Sequence, residues 1–189
     1  MFEIREETFR DAGPRESMLD ICFGASRFEK TCERLREGRR PADGLSLVVE
    51  HDGAVVATVR LWHVTAGTGR PALMLGPLAV DPSHRRLGLG AKIMREALSR
   101  ARALGHGAVL LVGDAPYYGR FGFSVAKTGR LWMPGPYERH RLLAVELVPG
   151  ALDGARGPIS PTGAIEERPD LAALAAAAAQ GAFGMGRAA

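Results

Sequence analysis

One segment, residues 78–91, limits more than any other what this chain can fold into. A short apolar run ends at Asp81-Pro82, and the loop Arg85-Arg86-Leu87-Gly88-Leu89-Gly90 leads into a long amphipathic pattern. This order predicts a strand, a glycine-rich turn and a helix start. The first turn of a helix has unpaired N–H groups and a partial positive charge, so it favours phosphate. The glycines let main-chain amides approach a ligand and the arginines add donors, so the segment is interpreted as a pyrophosphate site.

Two other phosphate-binding motifs fit this segment poorly. A P-loop needs Gly-Lys followed by Ser or Thr, whereas Gly90 is followed by Ala91-Lys92-Ile93. A dinucleotide-binding fingerprint needs a third small residue where Ile93 stands and an acidic residue ending the next strand, where the chain reads Leu-Leu-Val. Glycine-rich loops before helices also occur without any ligand, so the segment alone does not decide the function.

With a second motif, the segment resembles the GNAT N-acetyltransferase superfamily. The loop matches the (Gln/Arg)-x-x-Gly-x-(Gly/Ala) signature that binds the pyrophosphate of acetyl-CoA in that family. Downstream, Tyr118-Gly119-Arg120-Phe121-Gly122-Phe123 is similar to the ending of a later family motif, and the two matches stand in the expected order. Together with Leu75-Gly76-Pro77-Leu78-Ala79-Val80, they resemble a bacterial branch of predicted acetyltransferases. The resemblance covers residues 1–150.

The resemblance implies a mixed α/β fold with a mostly antiparallel sheet, splayed between two parallel strands and flanked by helices. It implies an enzyme that moves an acetyl group from acetyl-CoA to a primary amine by direct transfer. The main-chain groups of Leu78 and Val80 are then expected to bind the pantetheine arm and the acetyl carbonyl. The full set of expected acetyl-CoA-binding residues is Leu78, Ala79, Val80, Arg85, Arg86, Leu87, Gly88, Leu89, Gly90 and Ala91.

Tyr118 aligns with the general acid of the family. A phenol with an ordinary pKa of about 10 is protonated at neutral pH and can donate to a departing thiolate. The adjacent Tyr117 is a rival, and both tyrosines also fit a purely packing role. The general base is open: Asp114, Glu50 and His63 are candidates by position, and an ordered water or an amine that arrives deprotonated serves equally well.

The acceptor pocket is expected between the first two helices, the loop over residues 65–70 and the segment over residues 131–140. That last segment mixes aromatic and charged residues, but it also fits an ordinary cover for a sheet edge. We expect the acceptor to be a small-molecule amine. The alternatives are an N-terminal or lysine acetyltransferase acting on proteins, and a CoA-binding sensor without catalysis.

Composition and residue spacing indicate which other classes of protein this chain does not resemble. The net charge of +4 comes from arginines in runs no longer than two, which does not indicate a nucleic-acid partner. The chain has no 18-residue apolar run and its first residues are charged, so we expect neither a membrane span nor a signal peptide, and a cytoplasmic location. Cys22 and Cys32 lack CxxC spacing and are expected to be reduced. The five histidines show no metal-ligand spacing, so no metal site is expected.

Periodicity and turn residues predict seven strands and four helices. An irregular point in the fourth strand is expected at Gly76-Pro77, since proline removes a ladder donor. Asp52-Gly53 predicts a tight hairpin between the second and third strands. The predicted strands cover residues 2–8, 45–50, 54–64, 72–80, 108–112, 123–126 and 141–147, and the helices cover residues 14–24, 28–38, 88–104 and 116–121.

The composition changes after residue 150. Residues 1–150 are therefore assigned to an acetyltransferase domain, and residues 151–189 to a linker and an Ala-rich tail, with residues 150–169 read as a surface linker. In the tail, Leu171 and Leu174 are the only large apolar side chains of residues 170–180. Burying both yields about 3–5 kcal/mol, less than the cost of ordering the segment. We expect a tail that is mobile unless its own chain or a second subunit holds it, which leaves a homodimer open.

Overall fold

The computed structural model describes residues 1–166, so the predicted Ala-rich segment over residues 170–180 lies outside the described residues. It contains eight strands and three α-helices. The strands are β1 (Phe2–Glu6), β2 (Ser46–His51), β3 (Ala54–Ala66), β4 (Pro71–Val80), β5 (Ala108–Val112), β6 (Leu131–Trp132), β7 (Leu142–Glu146) and β8 (Gly157–Pro161). The helices are α1 (Ala12–Phe23), α2 (Leu89–Ala103) and α3 (Ala115–Gly119).

The strands form one mixed sheet in the order β1-β2-β3-β4-β5-β7. Neighbours along this path are antiparallel except β4 and β5, which run parallel. The predicted fold class is confirmed: the sheet is mixed, mostly antiparallel and flanked by helices. The hairpin predicted at Asp52-Gly53 is also confirmed, because both residues adopt the positive φ values (50° and 78°) that a two-residue turn of this kind requires.

Helix α2 covers one face of the sheet, as its sequence pattern predicts. Ile93, Met94, Ala97 and Ala101 are fully buried in a cluster with residues of β2, β3, β4 and β5. The opposite side of the helix is exposed. A second cluster, which includes Leu35, Leu131, Met133 and Ile159, fills the other face of the sheet. The sheet is therefore covered on both faces, which fixes the strands that carry the site.

Two predicted elements are wrong. Residues 28–38 form two short 3-10 turns, Ala25–Glu29 and Thr31–Leu35, instead of one α-helix. The helix breaks at Lys30, whose backbone is extended (φ −66°, ψ 138°). The strand predicted over residues 123–126 is reduced to a single bridge between Ser124 and Ala144.

The segment read as a surface linker also needs correction. Strand β8 pairs antiparallel with the end of β3 and parallel with β6. Leu152 and Ile159 are only 2% and 1% exposed, so this part of the chain completes the second core cluster. The approach to β3 is tight, since a Cβ on Gly67 would lie 2.0 Å from the Arg156 carbonyl oxygen. The sheet thus extends past residue 150, and the ordered fold includes residues 151–166.

Candidate active site

The parallel strands β4 and β5 separate after two paired positions. Leu73 pairs with Val109 and Met74 pairs with Leu110. Beyond these pairs, the described residues provide no further pairing between the two strands, although both continue. A gap therefore opens between the C-terminal half of β4 and the end of β5, as the predicted splay requires.

A β-bulge in β4 lies at the start of this gap. The pairing of β3 with β4 changes register at Arg60, where Gly76 and Pro77 together occupy the position of one residue. The indole Nε1 of Trp62 donates to the Gly76 carbonyl oxygen at 2.6 Å and holds the bulge against β3. The irregularity predicted at Gly76-Pro77 is confirmed.

The main chain after the bulge faces the gap. The Asp81 N–H donates to the Val56 carbonyl oxygen of β3 at 2.9 Å. Because main-chain groups alternate in direction along an antiparallel strand, the N–H and C=O groups of Val80 and Leu78 point away from β3 and into the gap. The Ala79 side chain is buried against α1. Leu78 and Val80 therefore offer main-chain hydrogen-bonding groups at a strand edge that no other strand of the described residues pairs, and the Cys22 thiol of α1 donates to the Val80 carbonyl oxygen at 3.4 Å.

The glycine-rich loop forms the start of α2. Gly88 is the N-cap residue with φ +75°, a conformation that favours glycine, and a Cβ placed there would meet nothing within 4 Å. Leu89 is buried and anchors the first turn in the core, and Gly90 and Ala91 follow it half-buried. The first N–H groups of the helix are thus held in place beside open space, which suits an anion.

The side chains before this helix extend into solvent. Arg85, Arg86 and Leu87 are exposed. Neither arginine has a carboxylate within 4 Å among residues 1–166, and Arg86 itself adopts a positive φ of 66°. Both guanidinium groups are free to bind phosphate oxygens next to the helix N-terminus.

Tyr118 lies at the end of β5, inside the gap. Its ring packs on Gly113 so closely that a Cβ there would lie 2.2 Å from Cε2 of the ring. Burial raises the pKa of Tyr118 to about 12, although the positive charge of Arg141 opposes this rise. The phenol is therefore neutral at physiological pH and able to donate a proton.

Tyr117 occupies a different part of the same gap. Its hydroxyl lies 3.1 Å from the position that a Cβ of Gly90 would take, at the first turn of α2. The guanidinium of Arg120 stacks over the Tyr117 ring, 4.1 Å from its centroid. Tyr117 thus reaches towards the predicted pyrophosphate site, while Tyr118 lies deeper, against Gly113.

The structure separates the three candidates for a general base. Asp114 lines the gap cavity, a space of about 460 Å³ between β4 and β5 that Tyr117 and Tyr118 also line. Glu50 instead accepts a hydrogen bond from Arg5 at 2.8 Å, next to β1. His63 packs against His106, with ring centroids 5.4 Å apart. Of the three candidates, Asp114 therefore lies at the gap, whereas Glu50 and His63 line neither of the two cavities there.

The structure brings together some of the segments expected around the acceptor pocket and leaves one of them apart. Segment 131–140 lines a cavity of about 510 Å³ through Pro136, Tyr137 and Glu138, with Thr31 and Cys32 on the opposite wall. The loop over residues 65–70 takes no part in it. That loop is held by Arg156, whose carbonyl oxygen accepts from the Thr68 N–H at 2.9 Å.

Sequence reasoning missed a charged wall on the α1 side of the bulge. A cavity of about 780 Å³ there is bounded by Trp62 and Pro77 and by alternating arginine and glutamate side chains. Its most buried carboxylate, Glu7, contacts both Arg15 and Arg60. These residues come from separate elements, so no spacing in the sequence indicates that they meet.

The described residues contain no cluster of three or more His, Cys, Asp and Glu side chains placed to hold a metal ion. Within residues 1–166, the longest apolar helical stretch falls short of what is needed to cross a membrane.

The splayed strands, the bulge and the glycine-capped helix define a class of protein, and the match to a family model agrees with it. The model described as the acetyltransferase (GNAT) family matches residues 1–123. The chain belongs to the GNAT acetyltransferase family.

Similar proteins support this membership. The chain is 31% identical over 146 residues to the uncharacterized N-acetyltransferase YjhQ of Escherichia coli, covering 74% of this chain and 79% of that protein. It is 30% identical over 155 residues to the uncharacterized N-acetyltransferase YhbS of the same organism, covering 82% and 92%.

Two solved structures share the fold. The crystal structure of YhbS from Escherichia coli in complex with CoA superposes with a TM-score of 0.71 at 29% identity, covering 85% of this chain and 89% of that one. A GNAT family acetyltransferase from Brucella melitensis in complex with acetyl-CoA gives a TM-score of 0.63 at 26% identity, covering 86% and 96%.

Proposed function

We propose that this protein transfers the acetyl group of acetyl-CoA directly to a primary amine of a small molecule. The observation that carries the proposal is the gap between β4 and β5, which opens beside the glycine-capped start of α2. The similar proteins crystallised with CoA and with acetyl-CoA support this choice of substrate.

The chain offers a binding group for each part of acetyl-CoA. The N–H groups from Leu89 to Ala91, with Arg85 and Arg86, suit the pyrophosphate. The main-chain groups of Leu78 and Val80 suit the amide-rich pantetheine arm, which can pair with a free strand edge. The bound thioester supplies the activated acetyl group.

Tyr118 is proposed as the general acid. The amine nitrogen forms the new amide bond as the C–S bond of the thioester breaks. The amine releases one proton to water, and Tyr118 gives one proton to the departing sulfur and regains one from solvent. A donor already in place contributes about 10²–10⁴-fold to such a step. Asp114, which lines the same cavity, is in position to accept the amine proton through water.

The size of the cavities supports a small-molecule acceptor. Beside the gap cavity, the cavity lined by Thr31 and Pro136 measures about 510 Å³, within the range typical of small-ligand sites. Its walls are joined by the contact between the Thr31 hydroxyl and the Pro136 carbonyl oxygen.

Acetyl-CoA binding is tested with a pair of glycine variants. Gly88 and Gly105 flank α2, both have a positive φ, and a Cβ at either would meet nothing within 4 Å. Gly88→Val and Gly105→Val are therefore expected to lose similar stability from backbone strain, about 1 kcal/mol or more. Calorimetry should show CoA binding abolished only in Gly88→Val, because that side chain enters the space next to the first N–H groups.

Equal CoA affinity in the two glycine variants would show that the pyrophosphate does not bind at the α2 N-terminus. A wild-type protein that binds CoA but releases none from acetyl-CoA with any amine would instead be a CoA-binding sensor.

A further inference from the structure

The gap cavity continues into a side chamber that the acetyl-CoA site does not account for. This chamber is the 510 Å³ cavity between Thr31 and Pro136, and it shares Lys30, Cys32, Val112 and Arg141 with the gap cavity. Besides the contact of Thr31 with Pro136, a second hydrogen bond connects its walls: Arg34 Nη1 donates to the Pro134 carbonyl oxygen at 3.2 Å. The chamber is therefore a fixed space that opens next to Tyr118.

Cationic side chains lie where the two connected cavities meet. Four cationic side chains line them, against only two carboxylates, Asp114 and Glu138. Two of the four cations are neutralised from outside: Arg27 by Glu16 and Asp20, and Arg36 by Glu33. The other two cations, Lys30 and Arg141, line both cavities, whereas Asp114 lines only the gap cavity and Glu138 only the side chamber.

Lys30 and Arg141 are weakly compensated. Lys30 has no carboxylate within 4 Å in the described part of the chain, and its ammonium lies 4.8 Å from the centroid of the Phe23 ring. Arg141 meets Glu138 at 3.8 Å, where the Arg141 side chain is partly exposed and the Glu138 side chain is largely exposed. A long contact of this kind contributes little, about 0–1 kcal/mol, so Arg141 is available to a ligand.

Arg141 also acts on the reacting centre. Its side chain lines the gap cavity together with Tyr118, and its positive charge opposes the rise in the pKa of that phenol. Positive charge at this point attracts an anionic group and favours the neutral, nucleophilic form of an acceptor amine over its ammonium form. It also repels an acceptor that carries several amines.

We propose that the acceptor is a small primary amine that also carries an anionic group, a carboxylate or a phosphate, and that Lys30 and Arg141 bind this group in the side chamber. The assignment rests on the proposed acetyl transfer and specifies its substrate class. Lys30 and Arg141 act as specificity residues that orient the amine towards the thioester.

Matched acceptors test the assignment. The arms are ω-amino acids with two to five methylene groups, aminoalkyl phosphates, plain alkylamines of the same lengths and the matching diamines. The measurement is kcat/KM for each acceptor at saturating acetyl-CoA. We expect the best anionic acceptor to exceed its plain alkylamine by about 10–100-fold, the value of hydrogen bonds to a charged group. The two anionic arms distinguish a carboxylate from a phosphate.

Variants locate the preference. In the double variant Lys30→Met/Arg141→Met, the ratio of kcat/KM for the anionic acceptor to kcat/KM for the plain alkylamine, measured at saturating acetyl-CoA, should fall to near one. The charge-preserving double variant Lys30→Arg/Arg141→Lys should retain most of the preference. Arg130→Met is the control, because it removes one exposed positive charge that lines none of these cavities.

The outcomes separate the two proposals. Equal kcat/KM for anionic and plain acceptors, or a preference that survives Lys30→Met/Arg141→Met, would overturn the anionic acceptor and leave acetyl transfer standing. No transfer to any arm would contradict the proposed function, and the acceptor assignment would fall with it.

Discussion

At the scale of single residues, the Asp11 carboxylate is notable because it accepts four hydrogen bonds, from Arg5 and Thr8. Arg5 donates to its two oxygens at 2.7 and 2.8 Å, and the Thr8 N–H and hydroxyl donate at 2.7 and 2.8 Å. The hydrogen bonds from Arg5 hold the pKa of the buried Asp11 far below its ordinary value. The carboxylate thereby joins β1 to the start of α1. Helix α1 in turn forms one wall of the 780 Å³ cavity beside the bulge.

This lowered pKa predicts acid sensitivity. A depressed carboxyl pKa stabilises the fold above the unfolded value, about 3.9, and the contribution is lost as the pH falls towards the folded value. Asp11→Asn should therefore cost about 2 kcal/mol of unfolding free energy at pH 7, and the difference from wild type should shrink below about pH 4. Urea unfolding at pH 7 and at pH 3 measures this, and a difference independent of pH would exclude the electrostatic explanation.

At the scale of elements, the junction of β5 and α3 places the proposed acid. Tyr118 can lie against the end of β5 only because Gly113 has no side chain. Asp114 and Pro116 start α3 immediately afterwards, which turns the phenol into the gap. The position of the tyrosine therefore depends on a close contact between two neighbouring elements.

A matched pair of alanine substitutions tests this junction. A Cβ at Gly113 would meet the Tyr118 ring at 2.2 Å, whereas a Cβ at Gly119, which lies in the same helix as Tyr118, would meet nothing within 4 Å. Gly113→Ala should lower kcat by about tenfold or more, because a displacement of about 1 Å at a catalytic group is costly. Gly119→Ala should keep wild-type kcat and stability. Steady-state kinetics with both variants would contradict this explanation if their kcat values were the same.

Elements with local signals were predictable from the sequence. The α2 stripe, the hairpin at Asp52-Gly53 and the bulge at Gly76-Pro77 follow from residues close together in the chain. The break at Lys30 does not, because contacts such as that of Thr31 with Pro136 decide it. Strand β8 was missed for the same reason, since its partners in β3 and β6 lie far away in the sequence.

The candidate site shows the same division. Its family motifs identified the segment around Gly88 and the position of Tyr118, because each is encoded within a few residues. The charged wall on the α1 side depends on tertiary structure, and so does the placement of Lys30 and Arg141 around the same side chamber. The sequence could not show which of Asp114, Glu50 and His63 lies near the gap. In the structure, Asp114 lines the gap cavity and the other two do not.

For the whole molecule, we propose that the boundary of the acetyltransferase domain lies at residue 166, beyond β8. Ile159 is buried, Ile165 forms a bridge with Arg39, and the Glu166 N–H donates to the Gly38 carbonyl oxygen. Residues 151–166 therefore complete the core that supports β3. We propose that residues 167–189 take no part in the acetyl-CoA site.

Two truncations test this boundary. A chain ending at Glu166 should retain the CoA affinity and the unfolding midpoint of the full chain. A chain ending at Arg156 loses β8 and the buried Ile159, and should lose about 2 kcal/mol of unfolding free energy or more. Calorimetric titration and denaturant unfolding measure both quantities. A loss of CoA binding in the chain that ends at Glu166 would place the tail within the site.

The charge of the molecule is distributed in a way that net charge conceals. Of the cationic side chains around the site, those on the α1 side are largely paired with glutamates at short distance, whereas Lys30 has no carboxylate within 4 Å in the described part of the chain and Arg141 meets Glu138 at 3.8 Å. Arg85 and Arg86 likewise have no carboxylate within 4 Å among residues 1–166. Weakly paired cations thus lie both beside the N-terminus of α2 and around the gap cavity.

The most direct test of the account is the kcat of Tyr118→Phe beside that of Tyr117→Phe, with the acetyl-CoA Kd measured for both. Because burial raises the pKa of Tyr118 to about 12, the wild-type kcat should show no loss from its deprotonation below pH 10. Tyr118→Phe should lower kcat by about 100-fold and leave the Kd within about twofold, whereas Tyr117→Phe should keep most of kcat. Wild-type kcat in Tyr118→Phe would contradict the account.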